Sequence, residues 1–62
     1  MNLSDAYRDR ELWFRDEYDR ATGERVVYAM KHGITGVGRG PWPDANHLAT
    51  QRALDDLESK QA

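Results

Sequence analysis

The sequence predicts an α+β fold: an antiparallel β-hairpin or three-stranded sheet over about residues 11–37, with one C-terminal helix over about residues 44–60 on one face. Three observations carry this expectation. Ala21-Thr22-Gly23 has the composition of a hairpin loop, set between two segments that carry apolar and aromatic residues and opposite charges on either side of the loop. A glycine-rich stretch then enters Pro41-Trp42-Pro43, where regular structure stops because neither proline can donate to a ladder. Beyond Asp44 there is no further glycine or proline, and good helix formers continue to about Lys60.

The hairpin comes first. A three-residue loop of Ala21, Thr22 and Gly23 suits a type I turn followed by a left-handed residue, a position glycine takes without steric cost. This loop places Arg20 opposite Glu24 and Asp19 opposite Arg25, two opposite-charge pairs of the kind that favour cross-strand neighbours. Continuing outward, Tyr18 meets Val26, Asp16 meets Tyr28, Phe14 meets Met30 and Leu12 meets His32. One face then collects Leu12, Phe14, Tyr18, Val26, Tyr28 and Met30. The other collects Trp13, Arg15, Glu17 and Asp19 against Lys31, Ala29, Val27 and Arg25. A slip of one residue would scramble both sets. A competing reading makes residues 4–20 a helix capped by Ser4, with Leu3, Tyr7, Phe14, Tyr18 and Ala21 on one stripe and Glu11–Arg15 and Asp16–Arg20 as i,i+4 pairs. It points Leu12 away from the stripe, so the hairpin over roughly residues 11–32 is preferred. Residues 3–9 then have room for one helical turn ahead of the first strand.

After Met30, four glycines in eight positions (33, 36, 38 and 40) weaken any strand, so Ile34–Val37 is read as a short third strand or a frayed end of the second. Asp44 is a good N-cap for the helix that follows. Ala45, Ala49 and Ala53 form an i,i+4 row of small side chains continued by Leu57, with Leu48 and Leu54 on either side. That row is assigned to the inner surface of the hairpin.

The 62 residues are 39% apolar and 32% charged, with a net charge of −2 and no cysteine. One domain is expected, burying only about 60% of its unfolded surface and therefore thin in stability. The lack of cysteine excludes a disulfide framework and thiolate metal sites. No apolar run approaches the length of a membrane span or a signal-peptide core, which points to a cytoplasmic protein with no membrane partner. Acids and arginines interleave over residues 1–25, whereas residues 26–43 hold Lys31 and Arg39 and no acid. That is too little for the basic stripe of a nucleic-acid binder.

The run Gly36-Val37-Gly38-Arg39-Gly40, leading into Pro43-Asp44-Ala45 and a helix ending Ala53-Leu54-Asp55-Asp56-Leu57, resembles the small β-β-β-α domains of HicB-type antitoxins. The resemblance covers about residues 12–57 and is one of glycine and apolar spacing; Trp42 between prolines departs from it. In size, acidic balance and charge density the chain also resembles the short phage-encoded inhibitors of host defence, anti-CRISPR proteins included.

Catalytic chemistry finds little support. The glycine spacing G-x-x-G-x-G-x-G is not the dinucleotide fingerprint, and Pro41 and Pro43 remove two of the backbone donors a phosphate would need. His32, His47 and Asp44 match no recognised zinc spacing. Ser4 and Ser59 lie near the termini without a motif partner. No enzyme activity, metal or cofactor is expected. Tryptophan and arginine are the residues most enriched at binding hot spots, so the candidate partner-binding residues are Trp13, Arg15, Val27, Lys31, Arg39 and Trp42. The expected function is a non-catalytic protein-binding module, an inhibitor or modulator of a larger host complex, with a homodimer through the outer sheet face or edge also open. The alternative is an antitoxin-like or nucleic-acid-binding regulator using Arg15, Arg25, Lys31 and Arg39.

Overall fold

A computed structural model describes residues 1–61. In chain order the elements are helix α1 (Leu3–Arg8), strands β1 (Trp13–Asp19), β2 (Glu24–Lys31) and β3 (Ile34–Pro41), and helix α2 (Leu48–Gln61). The strands form one antiparallel sheet in the order β1-β2-β3 with α2 packed on it, the α+β architecture expected. With residues 13–19 in a strand, the single helix over 4–20 does not form. The turn of helix ahead of the sheet is α1, capped by Asn2, whose side chain accepts the Asp5 N–H at 2.8 Å.

The hairpin register differs from the expected one by a single residue. The loop holds four residues, so Asp19 stands opposite Glu24 and Phe14 opposite Ala29. Asp19 builds this longer loop: its carbonyl accepts from Gly23 N–H at 2.8 Å and its Oδ1 from Ala21 N–H at 3.0 Å. Gly23 takes the left-handed conformation, φ +73°. Because side chains alternate with period two, the slip leaves β1 as assigned and exchanges the faces of β2. Val27 and Ala29 point into the core, 1% and 0% exposed, while Val26, Tyr28 and Met30 share the other face with Trp13, Arg15 and Glu17. Leu12 is buried, as the hairpin reading required.

Strand β3 is longer than its glycine content suggests. His32 and Gly33 form a two-residue turn with φ of 51° and 77°, the left-handed pair of a type I′ hairpin, and Lys31 stands opposite Ile34. Gly36, Gly38 and Gly40 then all face α2. A Cβ on Gly38 would stand 2.1 Å from the Ala49 carbonyl oxygen, and one on Gly36 would stand 2.3 Å from that of Ala53. The helix backbone therefore rests directly on the strand. Glycines that weaken an isolated strand here permit the approach that buries it. The row Ala49, Ala53, Leu57 makes this contact, so it lies over β3 and β2 and not over the β1–β2 hairpin. Ala45 precedes the helix and is exposed.

Asp44 caps α2 from outside it. Its two carboxylate oxygens accept the N–H groups of Leu48 at 2.7 Å and Ala49 at 2.9 Å, and Oδ2 also accepts from Arg25 Nη1 at 3.2 Å. The core comprises Ala6, Leu12, Val27, Ala29, Ala49, Ala53, Leu54 and Leu57, with Leu3, Phe14 and Ile34 packed around it. Half of those buried side chains are alanine, so close backbone approach replaces bulk. Thr50 is buried among them, and its hydroxyl has no hydrogen-bond partner among the described residues.

Helix α2 also closes the outer edge of β3. Asp56 Oδ2 accepts the Val37 N–H at 2.8 Å, Lys60 Nζ donates to the Thr35 carbonyl at 2.9 Å, and Arg52 Nη1 donates to the Arg39 carbonyl at 2.8 Å.

Candidate functional site

Both helices lie on one side of the sheet: α1 contributes Ala6 to the core beneath α2, and its Tyr7 ring packs on Phe14 at 5.5 Å. The other side carries no covering element among the described residues. The register lays its side chains out in four rows across the strands: Trp13-Met30-Thr35, Arg15-Tyr28-Val37, Glu17-Val26-Arg39 and Asp19-Glu24-Pro41. The first two rows are mainly aromatic and apolar, with Trp13 70% and Val37 38% exposed. The last two are charged: Arg39 Nη1 reaches Asp19 Oδ2 at 2.9 Å and Glu24 Oε1 at 3.3 Å. Arg15 meets Glu17 at 2.7 Å along β1. The Arg39 guanidinium, helped by the Ala21 N–H, holds the Asp19 carboxyl below its usual range.

Of the candidate binding residues, Trp13, Arg15 and Arg39 share this open face. Val27 does not: it lies under α2, a direct consequence of the longer loop, and its side chain is out of reach of any partner. Lys31 also points to the helix side, where its ammonium meets Asp9 at 2.6 Å. Each raises the other's preference for the charged form, Lys31 upward and Asp9 downward. Tyr28, Met30 and Val37 take the places that the expected register gave to Val27, Ala29 and Lys31. Their signal was present in the glycines. A two-residue turn at His32-Gly33 sets Gly36 against Ala29 and Gly38 against Val27, which groups the small residues on one face and turns Tyr28 and Met30 to the other.

Trp42 stands apart from both sets. It is 57% exposed and packs edge-on against Tyr18, ring centres 5.3 Å apart. The two rings wall an open cleft of about 490 Å³, lined further by Asp16, Glu17, Arg25, Pro43, Asp44 and His47. Arg25 bridges Asp16 at 2.7 Å and Asp44 at 3.2 Å, so the one guanidinium in the cleft is already neutralised. Burial pushes the Asp44 carboxyl up, yet the N–H groups of Ala49 and Leu48, with Arg25, pull it below its usual value. Asp44 is thus committed to holding the fold. His32 lies beside Glu11 at the β2–β3 turn, whereas His47 and Asp44 lie in the segment entering α2. The three residues considered for a metal site do not come together. Among the described residues, no helix is long and apolar enough to cross a membrane.

No protein-family model, curated protein or solved structure matches this chain.

Proposed function

We propose that this chain is a small non-catalytic binding module that engages a protein partner through the open face of its sheet, acting as an inhibitor or modulator of a larger complex. The observation that carries the reading is the uncovered aromatic half of that face, where Trp13 is 70% exposed beside Tyr28, Met30 and Val37. A tryptophan and an arginine within an apolar patch, next to a charged border, is the anatomy of a protein-binding hot spot. The rival nucleic-acid reading draws on Arg15, Arg25, Lys31 and Arg39. Each of these already holds a carboxylate within 3.0 Å, which leaves little uncompensated charge to follow a phosphate backbone.

Immobilised wild-type chain, exposed to an extract of its native host, is expected to retain a discrete protein whose capture survives high salt. Trp13→Ala and Val37→Glu should abolish that capture while leaving the thermal melt unchanged. Retention of nucleic acid, lost steeply as salt rises, would favour the rival; retention of the same protein by both variants would remove the open face from the function.

A further inference from the structure

The two outer edges of the sheet are unlike. In an antiparallel sheet each residue sends its N–H and C=O to the same side, and the side alternates along the strand. The type I′ turn pairs Lys31 with Ile34, so Ala29 and Val27 bond toward β3 while Met30, Tyr28 and Val26 bond toward β1. On β1 the residues that turn their backbone groups outward are therefore Phe14, Asp16 and Tyr18. None of these outward groups has a hydrogen-bond partner among the described residues, in contrast to Thr35, Val37 and Arg39 on β3.

We propose that this β1 edge pairs antiparallel with β1 of a second copy of the chain, about a twofold axis at Asp16, to form a dimer with one continuous sheet. Three observations select a second copy. The strand is self-complementary in this register: Arg15 stands opposite Glu17 of the second copy, and the symmetry repeats the pair. The exposed aromatics Tyr7, Trp13, Tyr18 and Trp42, between 52% and 70% exposed, all lie on or against β1 or the side chains it carries. Phe14 falls opposite Tyr18 of the second copy, so the Tyr7–Phe14 pair meets the Tyr18–Trp42 pair at each end of the joint. Finally, the β3 edge is occupied by α2 side chains, which blocks head-to-tail growth of β1 onto β3 and leaves the closed twofold arrangement. Asp16 meets its own symmetry mate at the axis, and each copy is neutralised by Arg25, 2.7 Å away on its own chain. The dimer is held by the backbone groups of the β1 edge, with Arg15 and Glu17 of the open face adding the cross-strand pair. Its failure is therefore read from self-association, and that of the partner reading from capture by Trp13→Ala and Val37→Glu.

Sedimentation equilibrium on the full chain tests it. Wild type is expected to be dimeric. Arg15→Glu sets acid against Glu17 and Glu17→Arg sets base against Arg15, so each variant alone should dimerise at least about tenfold more weakly, because the twofold applies every change twice. An equimolar mixture of the two restores both pairs and should form a heterodimer of near wild-type affinity. Asp16→Pro removes an outward N–H that β2 does not use and should give a monomer with an unchanged sheet signal in circular dichroism; should it unfold, the charge-reversed pair still decides. A monomeric wild type at millimolar concentration, a dimer indifferent to both reversals, or a mixture no tighter than its components would each overturn the proposal.

Discussion

The edge at β3 and the edge at β1 belong to the same sheet, yet one is finished and the other is bare. At β3, a strand with almost no side chains on its helix side lets α2 come close enough for Asp56, Lys60 and Arg52 to reach the strand's outward groups. At β1, larger residues such as Phe14 and Tyr18 face the helix side, α2 packs over β2 and β3 instead, and no side chain among the described residues hydrogen-bonds to the edge. The same helix cannot do both. Edge protection in so small a domain follows from where the backbone approach is closest, and side-chain size decides that.

The strongest way to break this comparison is to push α2 off the strand. Gly38→Val places a branched side chain where even a Cβ meets the Ala49 carbonyl oxygen at 2.1 Å, and it should cost about 3 kcal/mol or more. Gly40→Ala meets its nearest atom, the Ala49 nitrogen, at 3.1 Å and should cost clearly less. Urea denaturation of the two variants checks the order, and equal costs would contradict direct backbone packing.

The second route is to release the start of α2. Asp44→Ala removes the acceptor of two helix N–H groups and one Arg25 contact, and should cost about 1–2 kcal/mol near neutral pH. Asp44 is held below its ordinary value of 3.8, so its contribution is complete above that pH and is lost as pH falls toward the lower value of the folded state. Asp56, Asp19 and Asp9 are shifted in the same direction, Asp56 chiefly by the Val37 N–H. Wild-type stability should therefore decline below about pH 4, and more gently in Asp44→Ala.

Smaller changes sharpen the contrast. Asp56→Ala frees the Val37 N–H at an exposed position, at a small cost in stability, and opens the middle of the β3 edge while Lys60 and Arg52 still hold the Thr35 and Arg39 carbonyls. Sedimentation should then show species larger than those of wild type. Thr50→Val removes a buried hydroxyl without a partner among the described residues and should stabilise by up to about 1 kcal/mol, leaving self-association unchanged because β1 is untouched.

Much of the fold was legible in the residues. Asp44 reads as a helix cap and acts as one, though the helix begins four residues later, because Ala45, Asn46 and a left-handed His47 intervene. Gly23 reads as the left-handed end of a hairpin loop and occupies that place. The candidate surface was half legible: Trp13, Arg15 and Arg39 share the open face, Val27 and Lys31 do not, and Trp42 belongs to a separate cleft.

What the sequence determined by itself is the first hairpin, the stop at the prolines and the C-terminal helix, since turn chemistry, capping and helix propensity act over a few residues and need no distant partner. That the glycine-rich segment is a full third strand was decided by the helix packed on it. What only the tertiary structure decided is the register of β1 on β2, and with it the face shown by every residue of β2. Charge pairing across the loop favoured Asp19 opposite Arg25, but exposed ion pairs are weak, worth well under about 1 kcal/mol. Burying Val27 and Ala29 under a helix that rests on Gly36 and Gly38 stabilises more, by on the order of a kcal/mol or more for the valine alone. That helix lies about twenty residues further along the chain, so its preference enters only when the chain has folded back on itself.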